Sequence, residues 1–201
     1  MTHFTMFSTP VFIKDVIDTD SEKEALIKLA YKMKSREPSQ EKTNVGGYQT
    51  GAMHKSTEFL NLIAKLQQNI NENLNTYAFD QKLEIKVRNA WININNKDAF
   101  NRPHVHPSSE FACIFYLKIP ENSGNVVFIK DSMYRMDGIC DLPAKESNIL
   151  NCLSFFIKPE ENRFVMFPSY VEHFVEENKS TEDRISLSFN LSVTPKQWPL
   201  K

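Results

Sequence analysis

The sequence predicts a mainly β protein in which flanking α-helices pack on the outside of a sandwich or jelly-roll barrel. Two observations predict this class. In two segments, 21–33 and 56–74, apolar residues recur every three or four residues, which is typical of amphipathic helices, whereas from Leu83 onward they alternate with a period of two. In addition, the strand segments follow the helices rather than alternating with them, an order that disfavours a parallel βαβ sheet.

The first 80 residues are expected to form one strand, two helices and a loop that pack on the barrel. Phe7–Ile17 is predicted to be a strand, and Ser21 with Glu24 forms a capping box at the start of the first helix. Residues 35–51 are polar and contain three of the five glycines, a composition typical of a loop. The second helix is predicted from about Ser56, because apolar residues follow it at helical spacing: Phe59, Ile63, Leu66, Ile70 and Leu74.

Residues 81–195 are expected to form the jelly-roll core of a single domain that spans residues 1–201. Each predicted strand is short and is bounded by turn-rich sequence. The predicted strands are 83–95, 111–119, 125–130, 150–157, 163–167, 171–176 and 184–193. The polar, strand-poor segment 130–148 is interpreted either as a surface excursion or as a loop over the substrate site.

The composition excludes several classes of protein. With 24 Lys and Arg against 25 Asp and Glu, the formal charge is −1, so the chain lacks the basic surface of a general nucleic-acid binder. The three cysteines form no CxxC pair, which argues against a disulfide framework or a cysteine zinc site. No apolar run reaches the length of a membrane span, and the first fifteen residues do not resemble a signal peptide. We therefore expect a cytoplasmic location.

Two predicted strands carry a polar face that is unusual for a protein surface. In strand 184–193, Arg184 is followed at every second position by a small hydroxyl or amide side chain, without Lys or Glu on that face. In strand 83–95, one face changes from apolar side chains to amides and an indole: Asn89, Trp91, Asn93 and Asn95. A β-bulge that reverses the faces explains this change structurally, whereas a polar pocket beside Asn93 explains it functionally.

Three of the five histidines are candidate metal ligands. His104 and His106 flank one residue, so in extended backbone both imidazoles point to the same side and can converge on one ion. Pro103 and Pro107 hold this segment extended. His173 lies between two valines on a later predicted strand, and by itself it fits a buried core residue at least as well.

Arg184 strengthens the metal interpretation of these histidines. It follows His173 by eleven positions and heads the small polar strand face, so it is expected in the same barrel. Three protein ligands leave coordination positions open for chemistry, and a guanidinium binds an anionic co-substrate. The pattern therefore favours a catalytic divalent-metal site with an anion beside it.

An ordered series of motifs lies within residues 83–193: WIN (91–93), HVHP (104–107), FYLKIP (115–120), the Gly124–Phe128 segment, FPSYVEH (167–173) and RISLSFN (184–190). Together these motifs resemble a family of 2-oxoglutarate/Fe(II)-dependent oxygenases found among bacteria and phages, and GGYQT (46–50) is a weaker match to that family upstream. The resemblance implies a double-stranded β-helix, Fe(II) as the metal, 2-oxoglutarate as co-substrate, O2 as oxidant and, for a phage-encoded chain, a location in the host cytoplasm.

The resemblance also implies which residues bind the metal. His104 and His173 take the positions of the two metal-binding histidines. His106 falls where the commoner His-x-Asp/Glu motif has its carboxylate. With a neutral imidazole at that position, the site has one negative charge fewer than sites with the commoner motif. Either three histidines bind the iron, or Glu110 completes the ligand set, since HVHPSSE also matches the His-x-His-x3-Glu pattern of cupins.

On the same basis, four residues are implied to bind 2-oxoglutarate. Arg184 and Ser186 match the Arg-x-Ser element that binds the distal carboxylate, for which the fork of an arginine is well suited. Tyr116 and Asn93 are implied to add hydrogen bonds to the co-substrate. The implied reaction is hydroxylation of an unidentified small-molecule or peptidyl substrate, with release of succinate and CO2.

Two other functions stay open from the sequence. A cupin-like metal dioxygenase would use the histidines together with Glu110 and no keto acid, in which case Arg184 is dispensable. A catalytically inactive β-sandwich that serves as a binding or assembly module would retain the scaffold alone.

Overall fold

The computed structural model describes residues 8–79, 83–130, 143–146 and 148–196, which contain two helices and eleven strands. The helices are α1 (Asp20–Lys34) and α2 (Thr57–Asn75). The strands are β1 (Phe12–Asp15), β2 (Asn44–Val45), β3 (Tyr48–Gln49), β4 (Leu83–Asn95), β5 (Phe100–His104), β6 (Phe111–Lys118), β7 (Val126–Ile129), β8 (Ser154–Ile157), β9 (Arg163–Pro168), β10 (His173–Val175) and β11 (Arg184–Pro195). Within these described ranges, neither helix is long and apolar enough to cross a membrane.

The strands form two antiparallel sheets. The major sheet has six strands in the order β1-β9-β6-β11-β4-β3, and the minor sheet has five in the order β2-β5-β10-β7-β8. Each strand pairing within them is antiparallel. Consecutive strands such as β6 and β7 often lie in different sheets, as expected for a jelly-roll barrel. The predicted mainly β class with flanking helices is confirmed.

One face of the major sheet packs against the two helices. Leu62 and Leu66 of α2 lie in one apolar cluster with Ile92 of β4 and Leu187 of β11, and all four are fully shielded from solvent. Burial of each such aliphatic side chain contributes about 1.5–3 kcal/mol. This helix side of the sheet is therefore the main apolar core of the protein.

The opposite face of the major sheet points into the space between the two sheets, which we call the barrel interior. Part of the interior is apolar, where Ile114 and Phe167 of the major sheet meet Val126 and Phe128 of the minor sheet. The remainder is polar and equally buried, with side chains from β4 and β11: Asn93, Arg184, Ser186, Ser188 and Asn190. The small polar face of strand 184–193 therefore lines the interior and not a solvent-exposed surface.

A β-bulge at Arg88 divides β4 into two parts. Asn190 of β11 pairs with Asn89, but the next residue, Leu191, pairs with Val87, so Arg88 is an extra residue in β4. Val87 consequently packs with the helix-side core, while the later amide positions face the barrel interior. The structural interpretation of the polarity change is confirmed, because the bulge reverses the faces of β4, and the buried Asn93 and Asn95 follow it.

The start of α1 differs from the prediction. The helix begins at Asp20 after Thr19, so Ser21 lies inside the first turn, where its hydroxyl donates a hydrogen bond of 3.0 Å to Glu22. The predicted capping box of Ser21 and Glu24 is therefore wrong. By contrast, α2 begins as predicted, because the Ser56 side chain accepts a hydrogen bond of 3.2 Å from the backbone of the third helical residue.

Strand β5 is not among the predicted strands, although it carries His104. Its sequence contains Pro103, which has no N–H to donate and is normally excluded from strand interiors. The strand tolerates Pro103 because β2 pairs only with Phe100 and Asn101, which leaves that edge free at the proline. Residues 131–142 and 147 of the predicted 130–148 loop lie outside the described residues.

Candidate metal centre

Three histidines converge at one end of the barrel interior. His173, the first residue of β10, pairs directly with His104, the last residue of β5, and their ring centroids are 4.3 Å apart. His106 follows β5, and its ring centroid lies 5.1 Å from each of the other two. One nitrogen from each ring lies within 4.8 Å of the others. The structure thus brings together the three histidines that the sequence singles out.

Glu110, the alternative ligand considered from the sequence, lies outside this cluster. Its carboxylate accepts a hydrogen bond of 2.8 Å from the backbone N–H of Val193, and its own N–H donates to the carbonyl of Leu191 at 3.0 Å. The same loop is also held at its beginning, where the backbone N–H of His106 donates to the carbonyl of Ser169 at 2.9 Å. Glu110 therefore fastens the loop after His106 to β11 and does not face the metal centre.

The ring proton of each histidine is held by an oxygen that can only accept a hydrogen bond. The acceptors are the carbonyl of Arg102 for His104 (2.7 Å), the carbonyl of Val171 for His173 (2.9 Å) and the side-chain Oδ1 of Asn190 for His106 (2.6 Å). In all three rings the donor is Nδ1, so Nε2 keeps its lone pair. The Nε2 of His106 is buried and has no partner among the described residues. Metal-binding histidines are commonly held in this way.

Burial keeps the three imidazoles neutral. Desolvation lowers the pKa of His173 to about 3 and the pKa of His106 to about 4, and it also lowers the pKa of His104. Phe167 and Phe128 form an apolar wall here, with the Phe167 ring edge-on to His173 at 4.8 Å. Because a metal ion binds the neutral form of imidazole, the site is in its binding form at neutral pH.

A row of polar side chains crosses the major sheet further into the barrel. The strand register places Gln49 opposite Asn93, Asn93 opposite Ser186, and Ser186 opposite Tyr116. All four residues are buried, yet the Oδ1 of Asn93 and the Oη of Tyr116 have no hydrogen-bond partner within the described ranges. A buried polar group without a partner costs about 1–3 kcal/mol, so this row indicates a place for a polar ligand.

Arg184 lies next to this row as a buried cation. The residue is 2% exposed, its guanidinium carbon lies 5.7 Å from the centre of the Tyr116 ring, and its Nε has no partner in the part of the chain that the structure describes. The carboxylate of Glu176 is bound to Asn125 instead. Burial lowers the pKa of Arg184, but a guanidinium stays protonated at neutral pH. A buried cation of this kind calls for an anionic ligand.

Two residues of this region were not singled out from the sequence. Asn190 lies on the predicted polar face of its strand, so its orientation is predictable, but its partner His106 is 84 positions away. Gln49 lies in the GGYQT segment, which carries only a weak signal, and β3 brings it beside Asn93. In both cases the contact depends on how distant segments meet.

The fold is similar to that of several solved oxygenases. A prolyl-4-hydroxylase from Pseudomonas putida is 15% identical, with a TM-score of 0.59 over 91% of this chain and 93% of that chain. A viral collagen prolyl hydroxylase from Paramecium Bursaria Chlorella virus-1 is 18% identical, with a TM-score of 0.57 over 90% and 94%. The epimerase SnoN, solved with Fe3+ and α-ketoglutarate, is 12% identical, with a TM-score of 0.64 over 94% and 82%. These likenesses show the double-stranded β-helix fold.

The family of the chain follows from its sequence profile. Among curated proteins, no sequence matches this chain. A profile of the family described as "Putative 2OG-Fe(II) oxygenase" matches residues 89–190 of 201, which is just over half of the chain and includes the three clustered histidines and Arg184. The chain therefore belongs to the 2OG-Fe(II) oxygenase family and is an enzyme that uses Fe(II), 2-oxoglutarate and O2.

Proposed function

We propose that the enzyme hydroxylates its substrate at an iron held by His104, His106 and His173, with release of succinate and CO2. The observation that carries this proposal is the state of the three rings: each Nδ1–H is bound to an oxygen, so each Nε2 is available to the metal. Imidazole nitrogens are suitable ligands for iron. Since the cluster contains no carboxylate from the described residues, the proposed ligand set consists of three histidines.

The polar row and Arg184 support a binding site for 2-oxoglutarate. The buried guanidinium suits the distal carboxylate, since charge-assisted hydrogen bonds are roughly twice as strong as neutral ones and arginine forms them in pairs. Ser186 lies two residues further along the same face of β11. The unpartnered Tyr116 Oη and the Asn93 side chain supply further hydrogen bonds. The residues present thus fit a dianionic keto acid, whose charge offsets both Arg184 and a metal site without a carboxylate.

When bound, Fe(II) and 2-oxoglutarate supply the oxidative chemistry that uses O2 to oxidise the substrate. The protein prepares the site for that chemistry. Hydrogen bonds at Nδ1 orient the three imidazoles before the metal arrives, and Arg184 holds the distal end of the diacid. Phe167 packs against His173, and the indole of Trp91 lies 5.6 Å from the His106 ring, so aromatic side chains exclude water beside the histidines.

The cupin-like alternative without a keto acid receives less support. It needs Glu110 as a ligand, but that carboxylate is bound to the backbone of Val193. It also provides no ligand for the buried Arg184. An inactive module without a ligand at this site would likewise leave uncompensated the free-energy cost of burying Arg184 and the unpartnered interior groups.

We further propose that an aromatic groove lined by Ser109 and Glu110 of the loop after His106 receives part of the substrate, whether a small molecule or a peptidyl group. The groove has a volume of about 730 Å³, and its aromatic lining consists of Tyr77, Phe79, Phe111 and Tyr170. Ser169, which holds the loop of His106 through its carbonyl, also lines the groove. Aromatic walls suit an apolar portion of the substrate.

We also propose a cytoplasmic location, a single domain over residues 1–201 and no general nucleic-acid binding. Cys113 and Cys152 are both free thiols, which supports a reducing compartment. The formal charge of −1 supports the absence of a phosphate-binding surface.

The test of the proposed function is an anaerobic Fe(II) titration followed by exposure to O2 with and without 2-oxoglutarate. We expect an absorbance change that requires both Fe(II) and the keto acid, and succinate release that requires O2 as well. Incubation with pools of small molecules and peptides should yield a product that has gained one oxygen atom. Metal binding should survive Glu110→Gln. The absence of both succinate and an Fe(II)-dependent spectrum would overturn the proposal.

A further inference from the structure

The hydrogen bond between His106 and Asn190 differs in kind from those of the other two histidines. His104 and His173 each donate to the backbone carbonyl of the residue two positions earlier in the sequence. These acceptors are local, and almost any sequence would provide them. His106 instead donates to a side chain 84 positions away in β11, at 2.6 Å. The orientation of His106 therefore depends on the identity of one residue.

The surroundings of this hydrogen bond favour a fixed geometry. Asn190 is 6% exposed and His106 is 8% exposed, so bulk water does not compete for either group. The bulge at Arg88 lies directly across from the step between Asn190 and Leu191, and bulges commonly re-aim side chains beside active sites. The Glu110 hydrogen bonds to β11 hold the His106 loop against the same strand.

We propose that Asn190 is a positioning residue that selects the Nδ1–H tautomer of His106 and so leaves its Nε2 free to bind the metal. The inference rests on the proposed role of His106 as a ligand. An amide oxygen can only accept a hydrogen bond, so the His106 Nδ1 must carry the ring proton, which excludes the tautomer with its proton on Nε2. Because the amide is uncharged, Asn190 aims the ring without adding negative charge to a site that lacks a carboxylate.

The experiment measures Co(II) affinity and the His106 tautomer in three variants of the full chain. Asn190→Leu removes the acceptor, and we expect a 10–100-fold loss of Co(II) affinity, the usual effect of removing a partner of a metal ligand. Asn190→Asp keeps an acceptor at the same place and should restore affinity to at least the wild-type value. Asn89→Leu makes the same change in the residue paired with Asn190 and should leave Co(II) affinity unchanged.

Long-range ¹H–¹⁵N NMR of the metal-free wild-type protein reads the tautomer directly. We expect the His106 proton on Nδ1, and this measurement does not depend on whether a variant folds. A proton on Nε2 would overturn the inference, as would a folded Asn190→Leu variant with wild-type Co(II) affinity. If His106→Ala also binds Co(II) as tightly as the wild type, the proposed ligand role of His106 fails as well, which distinguishes the two claims.

Discussion

The two faces of the major sheet are equally buried but differ in what they contact. Along β11, the residues that face the helices are Ile185, Leu187, Phe189 and Leu191, and each is fully buried in the apolar core. The residues between them face the barrel interior and are Arg184, Ser186, Ser188 and Asn190. A single strand thus packs against the apolar core with one face and lines the polar barrel interior with the other.

The two faces differ in whether their side chains find partners within the protein. On the helix side, apolar side chains find their partners within the protein, and the buried hydroxyls of Tyr48 and Tyr77 are the polar atoms of that cluster that have no hydrogen-bond partner among the described residues. In the interior, four polar atoms have no partner among the described residues, in His106, Asn93, Tyr116 and Arg184. The proposed ligands would recover the free energy lost there, since a ligand at 100 times its Kd stabilises a protein by about 2.7 kcal/mol.

The largest effect is expected from removal of a histidine at the barrel interior, which the interior face of the major sheet also lines. His173→Ala deletes one of three proposed ligands, and we expect no stoichiometric Co(II) or Fe(II) to be retained, because two imidazoles alone bind weakly. Metal content after gel filtration measures this. His54→Ala is the matched control, since His54 is outside the cluster and its loss should leave metal content unchanged. Retention of metal by His173→Ala would contradict the assignment.

Arg184→Met tests the interior face of the major sheet through the co-substrate. Loss of paired, charge-assisted hydrogen bonds should raise the KM for 2-oxoglutarate by on the order of 10²–10⁴-fold, while metal content stays unchanged. Without ligands, the free energy of unfolding should rise by on the order of 1–3 kcal/mol, because an apolar chain replaces a buried guanidinium whose Nε has no partner among the described residues. Urea unfolding and keto-acid titration measure the two quantities. Lower stability with an unchanged KM would make Arg184 structural.

Leu187→Ala tests the helix-side face, three residues further along the same strand. We expect it to lower the free energy of unfolding by about 2–5 kcal/mol, the usual cost of such a cavity, and to change the KM for 2-oxoglutarate little. Ser188→Ala, its neighbour on the interior face, should cost less than about 1 kcal/mol. If the two variants were equally destabilised, the proposed division between the faces would fail.

The smallest effect concerns a contact at the edge of the helix side. The hydroxyl of Tyr31 on α1 donates a hydrogen bond of 2.7 Å to Asp183, just before Arg184. Burial and Asp183 raise the pKa of Tyr31 from 10.0 to about 12. A raised folded-state pKa stabilises the protein fully below pH 10, and that contribution is lost as the pH approaches 12.

Tyr31→Phe should therefore lower the free energy of unfolding by less than about 1 kcal/mol at pH 8, with a smaller difference from the wild type at pH 11. Urea midpoints of the two proteins at both pH values measure this difference. A difference that grows between pH 8 and pH 11 would show that the phenolic proton is not what stabilises this contact.

Predictions from local patterns agree well with the structure. Strand β4 spans the predicted residues 83–95, and β6, β9 and β11 agree within two residues at each end. Alternation reports which face of a strand is buried, and this property belongs to each strand separately. The start of α1 was predicted wrongly because Thr19 is fully buried and donates a hydrogen bond to Asn162, a contact 143 positions away.

The sequence by itself determined which residues lie on each strand face, the family, and the candidate residues for metal and co-substrate binding: three histidines, one arginine and a small polar strand face. Only the tertiary structure decided that Glu110 binds the backbone of Val193 and that Asn190 holds His106. These contacts join residues 83 and 84 positions apart. Their geometry depends on the register of β11, the bulge at Arg88 and the loop after β5, which no local pattern encodes.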